Sequence, residues 1–153
     1  MTQYYYGTHL EKAIEIARNG VILSPLLEQR AWLNDVRRKD PEYYAELVGS
    51  ANPEAVARQL VSTESPRLAE TMDSVILVNR RSLALLQATK APKLVLRLDM
   101  ERGNGPFLQV PGKLFLRGNL ACVGLDESAL EHKVAIYRAF KDYTDCYELI
   151  RKV

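Results

Sequence analysis

Between Ser24 and Thr71 no stretch of the chain reads as a strand, and after Thr71 most apolar stretches do. Ser24-Pro25 opens a helix that carries Leu27, Ala31 and Trp32 and ends near ArgArgLys at 37–39, where positive charge complements the helix dipole. Asp40-Pro41 opens a second helix and Asn52-Pro53 a third, running to about Val61. After Thr71, SVILV (74–78) predicts a buried strand, RRSLALLQ (80–87) a short helix, and KLVLRLD (93–99) a strand with Leu94, Leu96 and Leu98 on one face. ERGNGP (101–106) is turn chemistry, and KLFLRG (113–118), NLACVG (119–124) and HKVAIYRAF (132–140) read as further strands. Residues 143–152 read as a closing helix. Helices gathered ahead of strands define an α+β chain: a split, mainly antiparallel sheet with the helices of the N-terminal half packed on it.

The chain begins with an abrupt change of period. Tyr4–Tyr6 favour a short strand, and ValIleLeu at 21–23 a second extended piece. Between them Leu10, Ala13, Ile14 and Ala17 repeat at helical spacing, and Gly20 sits where a left-handed terminal residue is wanted. Thr8 followed by Glu11 has the spacing of a capping box, so the sequence predicts a strand to Tyr6, a turn at Gly7 and a helix over 9–19.

At 153 residues and 47% hydrophobic content, one domain can fill its own core. Twenty-one basic against 19 acidic residues leave a net charge of +2, which gives no general case for nucleic acid or an acidic membrane. Cys122 and Cys146 share no spacing with each other or with His9 and His132, so neither a structural zinc site nor a disulfide framework is expected. No apolar stretch approaches the roughly 18 residues of a membrane span, and a soluble, cytoplasmic protein is expected.

Three segments occur in a telling order. Tyr-Gly-Thr leads into a helix ending in AsnGlyVal at 19–21; SVILVNRRSLALLQATKAPKLVLRLDM (74–100) is strand, helix and a strand ending in Asp99; GKLFLRGNLACVGLDESALEHKVAIYR (112–138) follows. Together, over about two thirds of the chain, they resemble the three motif regions of the ADP-ribosyltransferase superfamily, whose first motif carries His-Gly-Thr or His-Gly-Ser. The resemblance implies a single ADP-ribosyltransferase-like domain over 1–153 that binds NAD as a substrate in a cleft at Tyr6-Gly7-Thr8. The acceptor of ADP-ribose, or a protein partner, is not specified by it.

Within that resemblance each residue has an expected task. Backbone at Gly7, with no Cβ to intrude, would read the nicotinamide amide, and Tyr6, standing where relatives carry histidine, would bond a ribose hydroxyl beside Thr8. Arg80 or Arg81 would meet the pyrophosphate. Cleavage of the bond to nicotinamide passes through an oxocarbenium-like state that a carboxylate stabilises. The third region opens with Lys113, near Gln109, where a glutamate is expected, and Ile76 stands where many relatives have tyrosine. Glu127 or Glu131 would supply the carboxylate in a shifted register, while DESALEH (126–132) reads equally as a short surface helix capped by Asp or Ser. A domain lacking the glutamate would instead be a nucleotide- or partner-binding module without chemistry. GNGP at 103–106 lacks the lysine and spacing of a phosphate loop.

Overall fold

The computed structural model describes residues 1–150. Its elements, in order, are β1 (Thr2–His9), α1 (Leu10–Asn19), β2 (Val21–Leu23), α2 (Pro25–Lys39), α3 (Pro41–Val48), α4 (Pro53–Glu64), a 3-10 turn (Pro66–Thr71), β3 (Ser74–Val78), α5 (Arg81–Gln87), β4 (Lys93–Met100), β5 (Phe107–Pro111), β6 (Lys113–Phe115), β7 (Leu120–Asp126), a second 3-10 turn (Glu127–His132), α6 (Lys133–Phe140) and β8 (Tyr147–Ile150). The chain is α+β, and it divides into two compact units, 1–22 with 76–109 and 115–150, and 23–75 with 110–114. Among the described residues no helix is long and apolar enough to cross a membrane.

In the smaller unit α2, α3 and α4 start as the sequence predicts. Ser24 Oγ accepts the Leu27 N–H at 3.3 Å, Asp40 Oδ1 the Tyr43 N–H at 3.1 Å, and Asn52 Oδ1 the Glu54 N–H at 2.8 Å. Proline follows each cap, where its missing N–H costs nothing. The helices enclose a core of Leu26, Leu33, Ala57, Val61 and Met72.

The larger unit is built on a six-stranded sheet in the order β5-β3-β1-β4-β7-β8, while β2 and β6 form a separate two-stranded ladder. The β1–β4 and β4–β7 pairs are antiparallel and β7–β8 is parallel. Along β4, Leu94, Leu96 and Leu98 are fully buried, as are Tyr4 of β1, Val123 of β7, and Ile136 and Phe140 of α6. Tyr4, Leu94, Leu96, Leu98 and Val123 alternate along their strands with Tyr5, Val95, Arg97 and Cys122, so the sheet has one leucine-rich face and one face of mixed chemistry.

The structure corrects the expected joint at Gly7. Strand β1 continues through Gly7 and Thr8 to His9, because these residues pair with Val95, Leu94 and Lys93 of β4. Ladder pairing in a central strand outweighs the local preference of Thr8 for a cap, and no Thr8–Glu11 box forms. His9 is the cap instead: its Nδ1 accepts the Lys12 N–H at 3.3 Å.

Two elements near the C-terminal end also differ from expectation. Residues 133–140 are helix α6 rather than a strand, since Ile136 and Phe140, four apart, are the positions that reach the core. Residues 147–150 are the parallel strand β8 rather than part of a helix, with α6 as the crossover from β7 that a parallel pair requires; the end of that expected helix, 151–152, lies outside the described residues. The sequence reading also missed β5, an edge strand in which Pro111 is tolerated.

Candidate functional site

The mixed face of the sheet in the larger unit gathers the chemistry. Tyr5 of β1, Arg97 of β4 and Cys122 of β7 are successive cross-strand partners, and one step along lie Gly7, Val95, Gly124 and Glu148 in the same relation. Helix α5 covers part of this face through Ala84, which packs with Val78, Val95 and Ile150. Beside it Tyr5, Arg81, Val95, Arg97, Cys122, Gly124, Glu148 and Ile150 line a shallow depression whose cavity volume, about 10 Å³, is close to that of a single water site.

Two guanidiniums converge on one carboxylate there. Arg81 Nη2 lies 2.8 Å from Glu148 Oε2, and Arg97 Nη1 lies 3.6 Å from Glu148 Oε1. The Arg97 side chain is 23% exposed and that of Glu148 35%, whereas Arg81 is 45% exposed and reaches in over the Tyr5 ring at 5.9 Å. Arg97 Nε and Asp99 Oδ1 are 4.0 Å apart, both buried and both without a hydrogen-bond partner. Burial of a polar atom without a hydrogen bond is costly, and the attraction between these two opposite charges offsets part of that cost. Next to it Cys122, Cys146 and Glu148 place their ligand atoms within 4.8 Å of one another. Burial, the Cys146 thiol and the Glu148 charge push the Cys122 thiol up to about 12.

The residues expected from sequence are divided by strand alternation. Gly7 points to the mixed face, where a Cβ would stand 1.6 Å from the Ala84 carbonyl oxygen; its N–H donates to Gln87 Oε1 at 3.0 Å. Gln87 Nε2 in turn donates to the Ile76 carbonyl at 2.9 Å, so one side-chain amide bridges β1 and β3 where their direct pairing ends at Tyr5 and Val78. Tyr6 and Thr8 take the opposite face from Gly7. There the Tyr6 hydroxyl accepts from Lys12 Nζ at 2.9 Å, and Thr8, 3% exposed, leaves its Oγ1 without a partner.

Arg80 and Arg81 open α5, and of the two Arg81 turns into the depression. Glu127 and Glu131 lie on the 3-10 turn after β7, both exposed; neither lines the depression, and Glu131 is 3.5 Å from His132 Nε2. DESALEH forms a 3-10 turn with no side-chain cap, in place of the capped helix expected from the sequence. The residues that sequence reasoning missed are Arg97, Cys122, Cys146 and Glu148. Arg97 alternates with Leu96 and Leu98, a signal visible in KLVLRLD; Glu148 was hidden by the helical reading of its strand.

No protein-family model, curated protein or solved structure matches the chain.

Proposed function

We propose that the protein is ADP-ribosyltransferase-like and that the α5 face of its sheet takes NAD. The observation that carries this reading is the convergence of Arg81 and Arg97 on the two oxygens of Glu148. A pair of guanidiniums that holds two carboxylate oxygens is equally disposed to hold two oxygens of a pyrophosphate, with which bidentate contact is well matched. Phosphate oxygens taking the arginines would release Glu148 toward the adjoining ribose. Its carboxylate then faces positive charge developing at the anomeric carbon as nicotinamide departs, the role for which the sequence offered only Glu127 and Glu131. Gly7 lies on the same face as these groups and would read the nicotinamide amide there, whereas Tyr6 and Thr8, expected beside it at the ribose, lie on the opposite face.

One observation favours the reading without chemistry. The Gly7 N–H is already held by Gln87 and its Cα is pressed against the Ala84 carbonyl, so a nicotinamide reaches that backbone only if α5 lifts. A binding module would use the arginines alone, for an anionic nucleotide or partner.

The test is NAD labelled in its nicotinamide ring. Release of label by the wild-type chain, lost in Glu148→Gln and retained in a Glu127→Gln, Glu131→Gln double variant, supports the transferase reading. Loss of the carboxylate should lower turnover far more than affinity, because it acts mainly in the transition state. If melting temperature rises with NAD or ADP-ribose but no label is released, the binding module stands. If none of NAD, nicotinamide, ADP-ribose or AMP shifts the melting temperature, the NAD reading fails.

A further inference from the structure

Cys122 lines the depression from β7, Cys146 stands beside it just ahead of β8, and the sequence gives no hint that they meet. Cys122 lies in β7, one residue before Val123, whose N–H donates to the Cys146 carbonyl at 3.0 Å; Cys146 directly precedes β8. That backbone bond and the pairing of Val123 with Tyr147 put Cys146 next to Cys122 at the spacing of neighbouring strands, roughly 4.8 Å, which falls within the range of Cα separations that disulfides span. Their sulfurs lie within 4.8 Å, and both are free thiols. The approach to β8 is fixed: the Cys146 N–H donates to Thr144 Oγ1 at 3.0 Å, which donates to the Ala121 carbonyl at 2.9 Å. Burial differs between the two, Cys122 being 1% exposed and Cys146 half-buried.

We propose that Cys122 and Cys146 form one dithiol modification site, closed to an intramolecular disulfide by a small disulfide oxidant of the glutathione class. The difference in burial sets the order of events. The Cys146 thiolate attacks a sulfur of glutathione disulfide and expels one glutathione thiolate, leaving a mixed disulfide on Cys146. Cys122 then gives up its proton through the depression it lines and attacks the Cys146 sulfur, and the second glutathione leaves as thiolate. Two protein thiols are oxidised and one glutathione disulfide is reduced to two glutathiones. Burial holds Cys122 as the thiol, so the first attack falls to Cys146, and the second step draws on the small thiolate fraction of Cys122 at the high effective concentration that contact with the Cys146 sulfur provides. Closure ties β7 to β8 two residues before Glu148, so the bond would hold the candidate carboxylate in place. The modification itself does not depend on the NAD reading.

The experiment takes the full chain, fully reduced and freed of reductant, treats it with glutathione disulfide, and reads its intact mass and its thiol-blocked peptides. The expected product is the monomer lighter by two hydrogens, with peptides carrying 122 and 146 joined and restored by dithiothreitol. Cys122→Ser is expected to stop at a stable glutathione adduct on Cys146, and Cys146→Ser to stay unmodified on the same timescale. A wild-type chain that keeps a glutathione adduct on Cys146 without closing would overturn the proposal, as would one whose two cysteines both remain free. Phenylarsine oxide, which needs two thiols within reach of one arsenic, gives an independent reading on the reduced wild type. Its capture is expected to vanish after oxidation, and a reduced chain that fails to capture it would count against the proposal.

Discussion

Replacing Gly7 by alanine is expected to cost about 3 kcal/mol of stability. The added Cβ would lie 1.6 Å from the Ala84 oxygen, 2.5 Å from its carbonyl carbon and 3.2 Å from its Cα, all backbone atoms of α5 that no rotamer change can move aside. The helix must therefore retreat by well over an ångström, an overpacking strain of about 1–3 kcal/mol. The same retreat pulls Gln87 away from the Gly7 N–H and the Ile76 carbonyl, a further net loss of about 1 kcal/mol. For a chain of this length that sum lowers the melting temperature by roughly 6–12 °C. Gly124→Ala is the comparison: its Cβ meets Ile150 Cδ1 at 2.6 Å and Cγ1 at 3.1 Å, side-chain atoms that can turn away, and backbone only at the Val95 oxygen at 3.2 Å, so it should cost about 1 kcal/mol. Calorimetric or circular-dichroism melting of the three proteins decides. A Gly7→Ala protein that melts within about 2 °C of wild type, or one less damaged than Gly124→Ala, would refute the claim that close helix–strand approach is what requires glycine here.

Two further outcomes follow from the caps and the helical core. The His9 imidazole is held below its ordinary value, first by burial and then by Lys90 and Lys12, so the neutral form that caps α1 is favoured in the folded state. The associated stability is present above pH 6.5 and is lost as pH falls through the folded value; urea titrations at pH 7.5 and 5 should show the loss, and His9→Asn, which keeps a cap acceptor, should reduce it. In the smaller unit Leu33→Ala removes a buried side chain from a core of five buried residues and should cost about 3 kcal/mol by urea unfolding; a cost below about 1 kcal/mol would mean that this core is not what holds α2 to α4.

The sequence announced its elements best where local chemistry and the final structure agree. Three Ser/Asp/Asn-Pro starts gave α2, α3 and α4 with their caps, and the Leu94-Leu96-Leu98 alternation gave β4 and its buried face. It misled where distant pairing decides. Thr8 and Glu11 have cap spacing, yet the cap is one residue later, because Thr8 is claimed by Leu94 across the ladder. Residues 147–150 carry no strong local signal of a strand and are held by parallel pairing with β7, a partner no local pattern reveals. That error concealed Glu148, and with it the meeting of Arg81, Arg97 and the two cysteines. Arg81 was legible as a candidate, whereas its partners come from strands whose neighbours only the topology fixes.

The place of β1 in the sheet has a kinetic consequence. Tyr4, Tyr5 and Tyr6 find their ladder partners in Leu98, Arg97 and Leu96, so the first strand is completed only after most of the chain has been made. Closing so long a loop costs little more than closing one of half the length, about 0.6 kcal/mol per doubling, but it must be met before the pairing gives anything back. A fold governed by such non-local contacts is slow to nucleate. Until β3 and then β4 emerge from the ribosome, an aromatic-rich segment lacks its ladder partners, which makes this stretch a natural point of contact for a holding chaperone and a place where crowded, incompletely synthesised chains would associate.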